Sequence, residues 1–251
     1  MAKIRADVVL TERGLAPSRA RAQALILAGR VFSGEERIEK AGQKIDADAA
    51  LEVRGDDNPF VSRGGLKLRG ALDAFELDVT GLVCADFGAS TGGFTDCLLQ
   101  RGAAKVYAID VGYGQLHQKL RDDARVVVME RTNARHLKAA DLPEAVALVV
   151  IDASFIGLAK LLPSAAELLV PDGMIVAMVK PQFEVGRDKV GKGGVVREDE
   201  DRVAAIEAVA ASAAELGFAE RARADASIQG PKGNREAFLW LVRLDAATDP
   251  T

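Results

Sequence analysis

Apolar positions along this chain follow two rhythms. From residue 82 onward, short apolar runs alternate with stretches whose apolar positions recur at helical spacing. The runs are Leu82–Ala85, Lys105–Ile109, Val126–Met129, Ala145–Ile151, Met174–Val179 and Glu236–Val242. The stretches predict helices over 94–99, 159–169 and 203–216, and Leu68, Ala71, Leu72 and Phe75 form a helical stripe ahead of the first run. Near-continuous apolar strands alternating with helices indicate a mostly parallel sheet covered on both faces, an α/β fold.

Residues 1–54 read differently, as a small α/β module. Asp7 is expected to cap a short helix ending at Gly14, and Ser18 to cap a second that ends at Gly29. On the second helix Ala20, Ala24, Leu27 and Ala28 are the expected buried stripe, with Arg19, Arg21 and Arg30 facing water. Strands are expected at Val31–Phe32 and Leu51–Val53, with a turn at Gly34. Residues 55–62, Gly-Asp-Asp-Asn-Pro-Phe-Val-Ser, read as an unpacked linker, which bounds the domains at 1–54 and 63–246, with a tail at 247–251.

Composition sharpens this division. With 251 residues, 49% of them apolar, the chain can bury one core of ordinary size plus an appendage. Residues 1–54 hold ten Lys/Arg against eight Asp/Glu, a net of +2. The remainder holds 23 against 29, a net of −6, so a basic module precedes an acidic body. Cys84 and Cys97 read as buried hydrophobes of a reducing compartment. No metal-ligand spacing occurs, so no metal is expected. No apolar run approaches the roughly 18 residues of a membrane span, and the start is not a signal peptide, so a cytoplasmic protein away from membranes is expected.

The candidate chemistry lies at the strand ends. Asp86 ends the first run, and Gly88, Gly92 and Gly93 follow as G-x-x-x-G-G before the helix at Phe94. A glycine turn between strand and helix brings backbone N–H groups close to a ligand, although a tight turn without a ligand has the same pattern. Asp110 ends the next strand some twenty residues on, the distance of a ribose-binding acid. Asp152 and Lys180 end two further strands, so all four side chains are expected on one rim, as a ligand site or, for Lys180 and Asp152, as a structural ion pair.

Two resemblances attach function to these positions. Leu10-x-x-x-Gly14, Ser18-Arg19, Ala24-x-x-Leu27, Gly29-x-Val31 and Lys40 resemble the RNA-binding domain named after ribosomal protein S four, although Ser33-Gly34 stands where that family has Asn-Gly. The resemblance implies RNA contacts at Arg5, Arg19 and Lys40, with Arg13 and Arg21 behind them; a solvated basic helix is the alternative. The turn from Asp86 resembles motif I of S-adenosylmethionine-dependent methyltransferases. Lys67, Asp152, Lys180 and Glu236 match, in order and context, the Lys-Asp-Lys-Glu tetrad of the FtsJ/RrmJ-type RNA 2′-O-methyltransferases. Val61-Ser-Arg-Gly-Gly, Asp86-Phe-Gly-Ala-Ser-Thr-Gly-Gly-Phe-Thr, Asp110-Val-Gly-Tyr-Gly-Gln-Leu, Arg131-Thr-Asn-Ala-Arg, Val179-Lys-Pro-Gln-Phe-Glu and Gly233-Asn-x-Glu236 resemble the TlyA family of bacterial ribosomal-RNA 2′-O-methyltransferases, also called hemolysins.

That resemblance implies a Rossmann-like class I methyltransferase sheet, mostly parallel with its last strand antiparallel. It also implies S-adenosylmethionine as cofactor, ribosomal RNA in a ribosomal subunit as partner, and a monomer. Asp86, Gly88, Ser90, Thr91, Gly92, Gly93, Phe94, Asp110 and Asn133 would bind the cofactor, Asn133 near its adenine, and Arg63 would join the RNA contacts. Lys180 would be the base, Asp152 its orienting acid, and Glu236 would position Lys67 or the ribose. Residues 185–195, glycine-rich and basic, read as a mobile loop beside Lys180, and 230–234 as a turn presenting Glu236. A membrane-active hemolysin and a non-catalytic RNA-binding factor are the competing functions.

Overall fold

A computed structural model of the chain describes residues 3–54, 58–186, 189–230 and 233–244. It divides into two compact units between Asp57 and Asn58. In the first, strands β1 (Lys3–Arg5) and β4 (Lys44–Asp46) pair antiparallel, and β2 (Val31–Ser33) lies between β3 (Glu36–Arg37) and β5 (Leu51–Val53). Helices α1 (Ala6–Glu12) and α2 (Arg19–Leu27) cover a core of Val9, Leu10, Leu25, Ile26, Val31 and Ile38. Ser18 caps α2 by accepting the Arg21 N–H at 3.2 Å. Gly14, Gly29 and Gly34 take the left-handed backbone their turns require.

Two expectations fail here. The buried stripe of α2 is Ala22, Leu25 and Ile26, and Leu27 is 88% exposed. Alanines occur on several faces of this helix, so the larger Leu25 and Ile26 decide which face is buried, because burial gain scales with area. Asp7 caps nothing: Arg5 occupies the α1 N-cap position, and the fully buried Asp7 carboxylate faces α2 instead.

The second unit is a seven-stranded sheet in the order β11-β12-β10-β9-β6-β7-β8. Its strands are β6 (Val83–Phe87), β7 (Lys105–Ile109), β8 (Val126–Met129), β9 (Val146–Ile151), β10 (Leu169–Val179), β11 (Phe218–Asp225) and β12 (Ala237–Arg243). β6 to β10 are parallel, and β12 runs antiparallel to both neighbours. The sequence pattern missed β11, an edge strand whose Ala-Glu-Arg-Ala-Arg-Ala register lacks an apolar run; edge strands carry charge that discourages further pairing.

Helices α3 (Gly64–Ala74), α4 (Gly93–Gln100) and the short α5 (Gln118–Arg121) pack on one face. Helices α6 (Leu162–Leu168) and α8 (Asp199–Ala214) pack on the other, and the four-residue α7 (Pro181–Glu184) follows β10. The helix expected over 159–169 is a short 3-10 turn followed by α6, because Leu169 already belongs to β10. Within each strand, alternate residues enter opposite cores: Cys84, Leu148, Val150, Val176, Met178 and Phe238 face α3 and α4, while Ala85, Val149, Ile151, Ala177 and Leu239 face α6 and α8.

The linker expectation is corrected for Asn58–Ser62. Phe60 is buried, Val61 donates its N–H to Asp96 at 2.8 Å, and Pro59 accepts from Gln100 at 3.0 Å. An aromatic side chain and a carboxylate reaching back from α4 pack this segment onto the second unit. Residues 55–57 and the expected tail, 247–251, lie outside the described residues.

The entry to α4 depends on glycine. Gly92 has φ 98°, and a Cβ there would stand 2.2 Å from Leu120 Cδ1 and 2.8 Å from Leu116 Cδ1. Gly92→Ala is expected to destabilise the fold by about 1–3 kcal/mol through backbone strain and overpacking. Thermal unfolding measures this, and an unchanged melting temperature would mean that the turn is not held rigidly.

Candidate active site

The alternation runs through Asp86 within β6 and carries one residue beyond β9, β10 and the start of β12. Asp86 and Asp152 share the parity of the residues that face α3, as do Lys180 and Glu236. Register does the rest. Val179 pairs with Ala237, which puts Lys180 across from Glu236, and Ile151 pairs with Ala177, which brings Asp152 alongside the end of β10. Lys67 comes to the same place from the first turns of α3.

Two amine–carboxylate pairs result. Lys67 Nζ bonds Glu236 Oε2 with both side chains buried. Gly230 makes room for this pair, since a Cβ there would stand 2.5 Å from Glu236 Oε1. Lys180 Nζ lies 2.5 Å from Asp152 Oδ1, donates to Ser154 Oγ at 2.9 Å, and stands 3.4 Å from the Asp152 carbonyl. Lys67, Asp152 and Lys180 line one cavity of about 340 Å³ together with Ser62, Arg63, Gly64, Thr91, Gly93, Phe94 and Gln229.

A second cavity, of about 450 Å³, lies beside it. Its walls are mainly apolar, from Ile109, Val111, Ala134, Ile156 and Leu161, with Asp110 and Asn133 among its polar groups. Gly88, Ser90, Asp152 and Ser154 border both cavities. Gly88 (φ 87°) admits no side chain there, because a Cβ would stand 2.8 Å from the Asp152 carbonyl oxygen. Asp110 is fixed by the N–H groups of Ser90 at 2.8 Å and Gly112 at 2.7 Å. These features suit an adenosyl group: an apolar slot for a base, a fixed carboxylate for a ribose diol, and a bare glycine backbone where the chambers meet.

The other expected residues fall in several places. Ser90, Thr91, Gly93 and Phe94 border the polar cavity, and Asn133, whose side chain accepts the Arg135 N–H at 3.1 Å, borders the apolar one. Gly92 borders neither, and its lack of a side chain is explained by Leu116 and Leu120. Asp86 also borders neither; fully buried, it accepts from the Thr95 N–H at 3.0 Å and the Thr95 hydroxyl at 2.7 Å, which ties β6 to α4. Burial pushes its carboxyl up to about 7 despite the Thr95 hydrogen bonds, and Asp152 adds to the rise. Arg63 is exposed at the mouth of the polar cavity and donates to the Gln229 carbonyl at 3.1 Å. In the first unit Arg5 and Arg19 both bond Asp7, Lys40 is exposed, and Arg13 is tied to the carbonyls of Ala47 and Ala49.

Sequence reasoning overlooked Ser154, which contacts Lys180 from the Asp-Ala-Ser-Phe segment after β9, and its neighbour Phe155. Phe155 has φ 65°, is 91% exposed and stands 5.1 Å from the Phe183 ring. A left-handed aromatic has no sequence signature, since only glycine and asparagine advertise that backbone. The loop expected to be mobile is anchored at one end: Asn234 accepts the Val196 N–H at 3.1 Å and donates to the Gly194 carbonyl at 2.8 Å. Residues 187–188 of that loop, and 231–232 of the turn before Glu236, lie outside the described residues. Burial pushes the thiols of Cys84 and Cys97 up to about 12, consistent with inert core residues.

Comparison with known proteins agrees with this geometry. Residues 60–243 match the FtsJ-like methyltransferase family and residues 4–51 the S4 domain. The fold and these matches define a methyltransferase with an added S4 domain. The 16S/23S rRNA (cytidine-2′-O)-methyltransferase TlyA of Mycobacterium tuberculosis is 49% identical over 240 residues, 95% of this chain and 90% of that protein. Hemolysin A of Brachyspira hyodysenteriae is 41% identical over 240 residues, 95% of this chain and all of that one. A solved structure of a hemolysin-named protein from Streptococcus thermophilus has a TM-score of 0.77 at 43% identity, covering 98% of this chain and 90% of that one. The chain belongs to the TlyA family of FtsJ-like methyltransferases. Among the described residues no helix is long and apolar enough to cross a membrane.

The raised Asp86 carboxyl has a consequence for stability. The folded chain keeps this proton up to about pH 7, whereas the unfolded chain releases it near the ordinary value of 3.8. Between those limits the folded state binds the extra proton, so rising pH lowers stability across that window. Asp86→Asn has no proton to lose. Its melting temperature relative to the parent chain is expected to improve from about pH 5 to about pH 8; a constant difference would mean that the carboxyl is ionised throughout.

Proposed function

We propose that this chain transfers a methyl group from S-adenosylmethionine to a ribose 2′-oxygen of ribosomal RNA, with cytidine as the target nucleoside. The observation that carries the reading is the junction of the two cavities, where Lys180 stands against Asp152 and Ser154. The apolar chamber suits the cofactor, with Asp110 toward its ribose and Asn133 near its adenine. The polar chamber suits the target nucleotide, with Arg63 at its mouth as a phosphate contact and Lys67 and Lys180 inside. The TlyA relative that methylates cytidine in 16S and 23S RNA, together with the S4 match, supports an RNA substrate for this chain.

The cofactor, when bound, supplies a methyl group already activated on positively charged sulfur. The protein's tasks are alignment and removal of one proton. Lys180 takes the 2′-hydroxyl proton on its lone pair and therefore must react as the neutral amine. Asp152 orients the amine and would offer a negative charge to the cofactor's sulfonium. Glu236 holds Lys67 and keeps its charge compensated in the wall of the polar chamber.

Lys180→Ala is expected to reduce methyl transfer to ribosomal RNA by about 10²–10⁴-fold, the ordinary worth of a positioned base, while cofactor affinity by calorimetry changes little. Full turnover in that variant would remove Lys180 from the chemistry. The other pair separates folding from function. Glu236→Leu leaves Lys67 buried without a partner and is expected to cost about 3–5 kcal/mol in denaturant unfolding. Lys67→Met combined with Glu236→Leu is expected to regain most of that stability and none of the methylation; regained activity would make the pair a structural element alone.

A further inference from the structure

The first unit contains a carboxylate with an unusual set of partners. Asp7 is fully buried, yet it lies at the start of α1, within reach of two exposed arginines. Arg5 donates from Nε to Oδ1 at 3.0 Å and from Nη2 to Oδ2 at 2.9 Å. Arg19, from the first residue of α2, donates from Nε to Oδ2 at 3.1 Å, and Gln23, one turn on, donates to the same oxygen at 2.8 Å. One carboxylate thus gathers two guanidinium groups whose mutual repulsion would otherwise drive them apart. Their side chains remain 44% and 55% exposed.

The backbone holds this cluster in place. The Ala6 N–H donates to the Gln43 carbonyl at 2.8 Å and the Asp7 N–H to the Ala41 carbonyl at 3.2 Å. Arg5 lies against that turn, for a Cβ on Gly42 would stand 3.0 Å from Arg5 Nη1. The same turn follows exposed Lys40. Arg5 uses Nε and Nη2 on Asp7 while its Nη1 lies beside Gly42, and Arg19 reaches Asp7 through Nε alone among the described residues. The Arg5 hydrogen bonds, with help from Gln23 and Arg19, hold the Asp7 carboxyl well below the usual carboxylate range despite its burial.

We infer that Asp7 is a positioning residue for RNA: its buried carboxylate holds Arg5 and Arg19 side by side, so that their remaining N–H edges form a clamp for a backbone phosphate. This rests on the reading of RNA as substrate. A carboxylate in a phosphate-binding surface opposes binding by its charge, so its contribution must be geometric. Two guanidinium forks fixed in advance lose less side-chain entropy on meeting a phosphate than two free arginines would.

Charge and geometry predict opposite signs, which makes the inference testable. Asp7→Asn raises the net charge of residues 1–54 from +2 to +3. Attraction alone would then tighten binding to transcribed 16S and 23S RNA and steepen its salt dependence. The clamp predicts the reverse for the full chain: affinity weakened by about tenfold, a shallower salt slope, and a loss that falls mainly on KM for RNA. Arg19→Lys keeps the charge, leaves Arg5 and Gln23 on Asp7, and is expected to weaken binding comparably because an ammonium cannot replace the fork. It keeps the test alive if Asp7→Asn fails to fold. In the double variant the two losses are expected not to add.

Tighter or unchanged binding by Asp7→Asn overturns the clamp, as does full affinity in Arg19→Lys or strict additivity of the two. If the parent chain shows no saturable binding to either RNA, the substrate reading itself fails.

Discussion

Among the described residues two lysine side chains are buried, Lys67 and Lys180, each less than a tenth exposed. A buried ammonium without a partner costs several kcal/mol, and two near each other cost more. Each is tolerated because a carboxylate lies against it, Glu236 for Lys67 and Asp152 for Lys180. This requirement constrains the surrounding elements. Helix α3 must bring Lys67 to the end of β12, and β9 and β10 must stay in register so that Asp152 meets Lys180. The segment after β9 must turn so that Ser154 faces the same amine.

The chamber walls follow from that arrangement. The glycines after β6 serve different ends. Gly88 lets the backbone pass close to the Asp152 carbonyl where the chambers meet, whereas Gly92 accommodates Leu116 and Leu120. Gly93 belongs to the packing of α3 on α4, since a Cβ there would stand 2.2 Å from Ser62 Oγ and 2.8 Å from the Gly65 nitrogen. Asn58–Ser62 is drawn into the same contact by Asp96. A motif that looks like one ligand-binding loop is therefore partly a cradle and partly a helix–helix joint.

Carboxylates organise cations in both units, with different outcomes. In the second unit the paired amines are buried and line a cavity. In the first unit Asp7 is buried while its arginine partners stay exposed. The contrast is one of depth: in the second unit the amines themselves are buried, whereas in the first only the carboxylate is.

The class of fold was readable from the sequence because parallel strands buried on both faces must be continuously apolar, and their polar end residues stand out. That rule located Asp86, Asp110, Asp152 and Lys180, and the helical stripe on α3 located its buried face. Edge strand β11 was illegible because its neighbours on one side are solvent, so its alanines and charges lack the apolar run. The buried face of α2 was misread because alanine spacing does not choose a face when larger residues compete for it. Asp7 looked like a cap because capping is a local rule; its bonds to Arg19 and Gln23 span twelve and sixteen residues. Only the folded chain decided that Asp86 would sit behind the cavities, that Ser154 would reach Lys180, and that Glu236 would meet Lys67 across 169 positions. Strand ends are set by local pattern, whereas contacts between elements depend on register and packing, which exist only once the whole chain has closed.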